Sequence, residues 1–150
     1  MLRQSLLRLP VATPGEGFTN LTATLNREIA ASGLQCGVAT LVALHTSCSL
    51  TVNENADPRV LGDLTTYLRA LVPREGVRPI SGEGGLQRYR HDDEGADDMP
   101  AHIRTALTTT SLSLSFERGR LLLGTWQAVY LWEHRARPQQ RQLSLHLIGE

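Results

Sequence analysis

Lysine is absent from this sequence: the 15 basic residues are all arginines, and 15 acidic residues balance them to a formal net charge of zero. The absence of lysine excludes Schiff-base chemistry and the phosphate-binding lysine of a P-loop. An anionic ligand must therefore be held by arginine, by backbone N–H groups or by a metal ion. The balanced charge gives no indication of a nucleic-acid or membrane partner.

Cysteine and long apolar runs are also scarce. The two cysteines, Cys36 and Cys48, have neither a metal-ligand spacing nor a C-x-x-C arrangement. Two such thiols, in a chain long enough to fold without disulfides, are typical of a reducing compartment. No segment approaches the ~20 apolar residues of a membrane span, and residues 1–8 lack the apolar run of a signal peptide. We predict a cytoplasmic protein, and 150 residues suit a single domain over residues 1–150.

Aromatic residues make up only 5% of the chain, and both tryptophans lie in residues 124–135. This stretch is rich in β-branched and aromatic residues and contains no proline, so it predicts a long and mostly buried strand. It ends in Glu133, His134 and Arg135. An acid, a base and a cation at the end of a buried strand indicate a candidate site.

The rest of the chain predicts shorter helices and strands. Helices are expected from Thr19 or Asn20 to about residue 32, from Asp57 to about residue 72, and over residues 100–107, with Asp97 or Asp98 as a cap. Strands are expected at residues 2–9 (stopped by Pro10), 37–45, 50–52, 111–116 and 142–148. This order favours an α+β fold with one antiparallel-rich β-sheet and helices packed on one face.

Four histidines lie beside other reactive side chains: His45, His91, His102 and His134. His91 opens residues 91–98, in which five of eight residues are carboxylates. Carboxylates near histidines can bind a divalent metal or tune imidazole pKa values for proton transfer. The simpler interpretation is that such histidines are hydrogen-bonded surface residues and that the acidic loop is solvated, and we adopt it for His146.

Residues 74–98 are glycine-rich and charged, and they are long for a connection within a compact domain. Mobile glycines beside an acidic anchor at Asp97 and Asp98 fit a lid that closes over a phosphorylated ligand or a metal. A solvated loop without a role is the alternative. Covalent catalysis is disfavoured, because no Gly-x-Ser-x-Gly turn surrounds Ser47.

Three blocks, residues 45–58, 94–102 and 119–127, together resemble the YjbQ-like family, also described as secondary thiamine-phosphate synthases. The last block contains Gly-Thr-Trp-Gln and the second contains Asp-Asp-Met-Pro-Ala-His. The resemblance implies a homotrimer with sites near subunit boundaries. It also implies an enzyme that joins hydroxymethylpyrimidine pyrophosphate to thiazole phosphate. Cys48 departs from the small residue expected there, which argues against a catalytic thiol.

The residues that match the family's motifs, together with the polar cluster, give a set of expected roles. Catalytic roles fall to His45, Asp97, Asp98, Glu133 and His134; binding of a small phosphorylated metabolite falls to Asn53, Glu54, His91, Thr125, Gln127 and Arg135; metal binding falls to His45, His102 and His134. The carboxylates would suit Mg²⁺ and the three histidines would suit Zn²⁺. The alternative function is a non-catalytic protein that binds a metal or a phosphorylated metabolite.

Overall fold

The structure is a computed structural model that describes residues 1–150. Eight strands and three helices follow one another along the chain. They are β1 (Arg3–Thr13), β2 (Gly17–Asn20), α1 (Thr22–Ser32), β3 (Cys36–Ala43), β4 (Cys48–Glu54), α2 (Pro58–Leu71), α3 (Asp98–Leu107), β5 (Ser111–Glu117), β6 (Arg120–Leu121), β7 (Gln127–Glu133) and β8 (Gln139–Gly149). Every strand pairing is antiparallel, so the predicted α+β class is confirmed.

The strands form two sheets rather than the single sheet expected from the sequence. The larger sheet has the order β1-β8-β3-β5-β6, and the smaller one has the order β2-β7-β4. Strand β1 lies at an edge and continues through Pro10, which pairs with Gln142. The prediction that Pro10 ends the strand was wrong, because an edge strand can turn the missing N–H of proline towards solvent.

Strand β7 is the centre of the smaller sheet, with β2 and β4 on its two sides. Residues 128–133 are all buried, as expected for a strand covered on both faces. The strand begins at Gln127, three residues later than predicted, because the Gln127 side chain accepts a hydrogen bond from the Gly124 N–H and closes a turn. Trp126 lies in that turn with 65% of its surface exposed.

One apolar core is shared by the two sheets and α1. Leu25 and Ile29 of α1 belong to the same buried cluster as Leu41 of β3, Leu131 of β7 and Leu145 of β8. Each such side chain contributes about 1.5–3 kcal/mol when it is fully buried. This core therefore fixes β7 in place, and with it the polar residues that follow the strand.

Helices α2 and α3 flank the region of the candidate site. The predicted cap of α2 is present, since the Asp57 carboxylate accepts from the Arg59 N–H and Pro58 opens the helix. Helix α3 begins at Asp98, with Asp97 at the capping position but without a side-chain cap hydrogen bond. None of the three helices is long and apolar enough to cross a membrane.

The long connection between α2 and α3 has internal contacts. Val77 and Gln87 form a two-residue antiparallel bridge, and the Tyr89 hydroxyl donates to the Pro73 carbonyl at 2.9 Å. These contacts hold the two arms of the connection together. They also bring His91 back towards the start of α3, where it bonds to Asp98.

Candidate metal and phosphate site

Arg135 joins the end of β7 to the start of α3. Its Nε donates to Asp97 Oδ2 at 2.9 Å and its Nη1 donates to Asp98 Oδ1 at 2.8 Å. Its Nη2 donates to the Glu94 carbonyl at 2.8 Å. The side chain of Asp97 is thereby engaged by Arg135 instead of capping α3. In the structure Arg135, predicted to bind substrate, fixes the two carboxylates.

Asp98 is the centre of a small polar cluster, although only 2% of its surface is exposed. His91 donates from Nε2 to Asp98 Oδ2 at 2.6 Å, and His102 Nε2 lies 3.5 Å from the same oxygen. Residues four apart on a helix share one face, so α3 presents Asp98 and His102 side by side. The connection from α2 supplies His91 from the other side.

The cluster has the donors of a transition-metal site. One ligand atom each from His91, Asp98 and His102 lies within 4.8 Å of the other two. A tetrahedral ion with ligands at ~2.1 Å would place them ~3.4 Å apart. The 3.5 Å between His102 and Asp98 already matches this spacing, whereas the 2.6 Å between His91 and Asp98 would have to widen. Two imidazoles and one carboxylate favour Zn²⁺ over Mg²⁺. Arg135, bonded to the other oxygen of Asp98, would orient this ligand without contacting the ion.

The electrostatics keep the Asp98 carboxylate ionised. Burial would raise its pKa, but the hydrogen bond from His91 and the charge of Arg135 outweigh burial and hold the pKa below its usual value. The pKa of Asp97 is lowered in the same way, with burial opposed by Arg135 and the Ala136 N–H. Both carboxylates are therefore anionic at neutral pH, as a metal ligand and its neighbour must be.

A pocket of about 320 Å³ lies beside His91. Its lining consists of Arg74, Glu75, Arg88, Tyr89, His91, Asp92 and Ala96. Neither Arg74 nor Arg88 forms an ion pair in the structure. Two unpaired guanidinium groups next to a candidate metal site are suited to the oxygens of a phosphate.

The three histidines predicted as metal ligands are not brought together. His45 follows β3 of the larger sheet and accepts from the Gln142 N–H through Nε2 at 2.7 Å. His134 follows β7 of the smaller sheet and shares a hydrogen bond of 2.8 Å with Ser49 Oγ. The prediction assumed one sheet, whereas these two strand ends belong to different sheets. Only His102 remains in the ligand set, and His91 and Asp98 complete it.

His45 still shares a surface depression with His102. That depression has a volume of about 540 Å³ and includes Thr46, Thr105 and Thr109. Burial and the charge of Arg141 lower the pKa of His45, so its ring is neutral at pH 7. His45 therefore lines a depression that also reaches His102 of the cluster.

Glu133 and His134, predicted to be catalytic, are buried inside the protein. Glu133 accepts from Thr13 at 2.7 Å and from Arg141 Nε at 2.7 Å. Burial would raise its pKa, but these donors keep it below the usual value. Burial lowers the pKa of His134 to about 4, and only 2% of its surface is exposed. In the single chain these two residues form an internal polar network and have no access to a ligand.

The remaining predicted binding residues lie at the opposite end of β7. Asn53 and Glu54 of β4 pair with Ala128 and Gln127. The Thr125 carbonyl accepts from Asn55 Nδ2 at 3.0 Å. Strand β7 has seven residues, which at ~3.3 Å per residue separates this end from Glu133 by ~20 Å. The structure thus divides the predicted residues between two ends of one strand.

Arg74 and Tyr89 were not predicted from the sequence. Both belong to the connection after α2, where arginines are frequent and no motif singles out one of them. Arg88, a third residue of this connection, also lines the pocket. A useful signal would have been Pro73, which ends α2 and directs Arg74 away from the helix.

The fold and the cluster define a class of protein: an α+β protein with two antiparallel sheets and a His-Asp-His group held by arginine. The family described as UPF0047 protein YjbQ-like matches residues 8–150, and the chain belongs to this family.

Relatives and solved structures agree with this assignment. A UPF0047 protein from Synechocystis is 47% identical over 99% of this chain and 94% of its own length. The UPF0047 protein YjbQ of Salmonella typhimurium is 40% identical over 89% of this chain and 90% of its own length. A conserved hypothetical protein from Thermus thermophilus has a similar structure, with a TM-score of 0.76 and 40% identity, covering 94% of this chain and 98% of that one.

Proposed function

We propose that this protein is a metal-assisted transferase that forms thiamine phosphate from hydroxymethylpyrimidine pyrophosphate and thiazole phosphate. The observation that carries the proposal is the cluster of His91, Asp98 and His102 beside a pocket that contains the unpaired Arg74 and Arg88. The family resemblance supplies the two substrates. The arginines of the pocket would supply the positive charge that a leaving pyrophosphate requires.

The proposed reaction is a displacement at carbon. The thiazole nitrogen forms a C–N bond to the methylene carbon of the pyrimidine as the C–O bond to pyrophosphate breaks. The electron pair of the broken bond leaves with the pyrophosphate, and no proton moves in this step. Catalysis therefore depends on stabilising the leaving group rather than on a general base. Burial of Glu133 and His134 is compatible with such a reaction.

The residues of the pocket have separate proposed roles. Arg74 and Arg88 neutralise the pyrophosphate oxygens as charge develops on them. His91, Asp98 and His102 would hold a divalent cation, which when bound supplies Lewis-acid stabilisation of the same leaving group. Arg135 keeps Asp98 in place and ionised.

We further propose that the complete site forms in a homotrimer in the cytoplasm. The pocket of the single chain offers only Tyr89 and Ala96 as apolar walls, whereas heteroaromatic rings are usually enclosed by apolar side chains. The exposed turn around Trp126, with Asn53, Glu54, Thr125 and Gln127 nearby, is the segment that a neighbouring subunit would contribute. The two free thiols are consistent with a reducing compartment.

The direct test is an assay of the purified protein with both substrates, with and without Zn²⁺, following thiamine phosphate by chromatography. We expect His102→Ala to lower the rate at least tenfold, a loss of about 1.4 kcal/mol of transition-state stabilisation. The matched control is His146→Ala, because His146 bonds only to Gln4 on the surface. Full activity in His102→Ala would contradict the proposal.

A second candidate is a binding protein that holds a metal or a phosphorylated metabolite without turnover. The polar lining of the pocket favours it, since five of its seven residues are polar or charged. It predicts that Zn²⁺ or pyrophosphate binds to the purified protein while no thiamine phosphate forms under any metal condition. If binding were then lost in His102→Ala and kept in His146→Ala, the cluster that contains His102 would be a binding site. The protein would not be shown to be an enzyme.

A further inference from the structure

We propose that a second pocket, the arginine pocket, binds another phosphate group, so that the natural ligand or ligand pair carries two separated phosphates. The arginine pocket has a volume of about 360 Å³ and is lined by Glu16, Arg69, Pro73, Arg74, Glu75 and Arg104. No sequence motif points to it. The inference rests on the proposed function only in placing a first phosphate in the pocket beside His91.

Arg104 forms the floor of the arginine pocket. It projects from α3 with 5% of its surface exposed, and its Nη2 donates to the Val72 carbonyl at 3.0 Å. Its Nη1 donates to Glu16 at 3.1 Å, while its buried Nε–H has no partner. A buried donor without a partner costs about 1–3 kcal/mol, more when it is charged. The guanidinium is fixed by its two hydrogen bonds, so its positive charge stays at the pocket, where an oxyanion would stabilise it.

The arginine pocket contains one more positive than negative side chain, and Arg74 has no carboxylate partner. Glu16 is shared between Arg69 and Arg104, so one carboxylate faces two guanidinium groups. Arg74 has no ion-pair partner, and its charge together with that of Arg69 helps to lower the pKa of Arg104, behind the larger effect of burial. Three arginines against two glutamates give a net positive lining. A phosphate would relieve the repulsion among the arginines.

The arginine pocket adjoins the pocket beside His91. Arg74 and Glu75 line both of them. Arg74 therefore stands between a phosphate near His91 and a second phosphate above Arg104. This arrangement selects a ligand with anionic groups at two ends, or two phosphorylated ligands bound side by side. The proposed substrates, a pyrophosphate and a monophosphate, belong to this class.

The test follows the arginine side-chain N–H signals of ¹⁵N-labelled, metal-free protein by NMR during a titration with inorganic phosphate. We expect saturable shifts at Arg69, Arg74 and Arg104. Arg69→Gln removes one charge from an exposed side chain, so the fold should persist, and it should weaken the response at Arg104 at least fivefold. Arg88→Gln should leave that response unchanged, because Arg88 lines only the pocket beside His91.

Arg120→Gln is the matched control for charge, since Arg120 is an exposed residue of β6 outside both pockets. Shifts at Arg88 without shifts at Arg69 and Arg104 would overturn the inference and leave the proposed function standing. Shifts at Arg69 and Arg104 without any at Arg88 would support the inference and count against the proposed function. An equal response to acetate would overturn the assignment to phosphate in favour of a carboxylate.

Discussion

The two ends of β7 differ in how many contacts the single chain provides for their side chains. At the end of the strand, Glu133, His134 and Arg135 are held by partners from several other parts of the chain. At the start, Trp126 is 65% exposed, and the Gln127 side chain bonds only to the Gly124 N–H within its own turn. One end is complete within the monomer, and the other is open for contact. The difference indicates that the polar side chains of the first end stabilise the monomer, whereas the second end leaves a large aromatic side chain exposed.

The largest effect is expected from Glu133→Gln at the complete end. Breaking a buried ion pair leaves Arg141 charged without its partner, which typically costs about 3–5 kcal/mol. Chemical denaturation measures this loss. Glu54→Gln, at the open end of the same strand pair, should change the stability by less than about 0.5 kcal/mol because its carboxylate has no ion-pair partner. Equal losses in the two variants would remove the distinction between the ends.

Acidification should also lower the stability of the protein through the complete end of β7. The pKa of His134 falls from 6.5 in an unfolded chain to about 4 in the folded one, because burial disfavours its charged form. Below pH 6.5 the unfolded state therefore binds more protons, and stability falls as the pH drops from about 6.5 to 4, by about 3 kcal/mol. His134→Gln should flatten this part of the stability–pH curve.

His45 has a lowered pKa as well and acts in the same direction, so His45→Gln serves as the comparison variant. The carboxylates of Glu133 and Asp98 have lowered pKa values and lose their contributions at more acidic pH. If the curve of His134→Gln matched that of the wild type between pH 6.5 and 4.5, the buried neutral imidazole would not be the cause.

Arg135 links the complete end to the candidate metal ligands His91, Asp98 and His102, so its substitution tests whether they bind a metal. Arg135→Gln removes the donors that orient Asp98, and losses of such outer partners typically cost about 10–100-fold in metal affinity. Arg135→Lys should not restore the affinity, because one ammonium group cannot reproduce the two-carboxylate contact. Competition for Zn²⁺ against a chelator measures the change, and Arg137→Gln, an exposed neighbour, is the control. An unaltered Zn²⁺ affinity in Arg135→Gln would show that Arg135 does not support metal binding.

The smallest effect on folding is expected at the open end. Trp126→Arg alters an exposed side chain and should change monomer stability by less than about 0.5 kcal/mol. If this end contacts a neighbouring subunit, the substitution should lower the particle mass measured by light scattering. A trimer that persists in Trp126→Arg would place the subunit contact elsewhere.

The sequence predicted those parts of the fold that depend on local patterns. Alternating residues 111–116 became β5, and Asp57-Pro58 started α2 as expected. The division into two sheets could not be predicted, since it depends on which strands pair over long separations. The predicted metal ligands are separated for the same reason: His45 and His134 both follow strands, but in different sheets. The Arg135–Asp98 contact joins residues 37 apart that no shared pattern connects.

The Arg135 contacts also connect binding to local order in the protein. Asp98 bonds to Arg135 through one oxygen and faces His91 and His102 through the other. Any cation bound by that second oxygen favours conformations in which the start of α3 is held against the segment that follows β7. At 100 times its dissociation constant, such a ligand would stabilise the docked form by about 2.7 kcal/mol. Amide hydrogen exchange at the start of α3 should slow by roughly the corresponding hundredfold, while exchange in β1, which contacts none of these residues, should not respond.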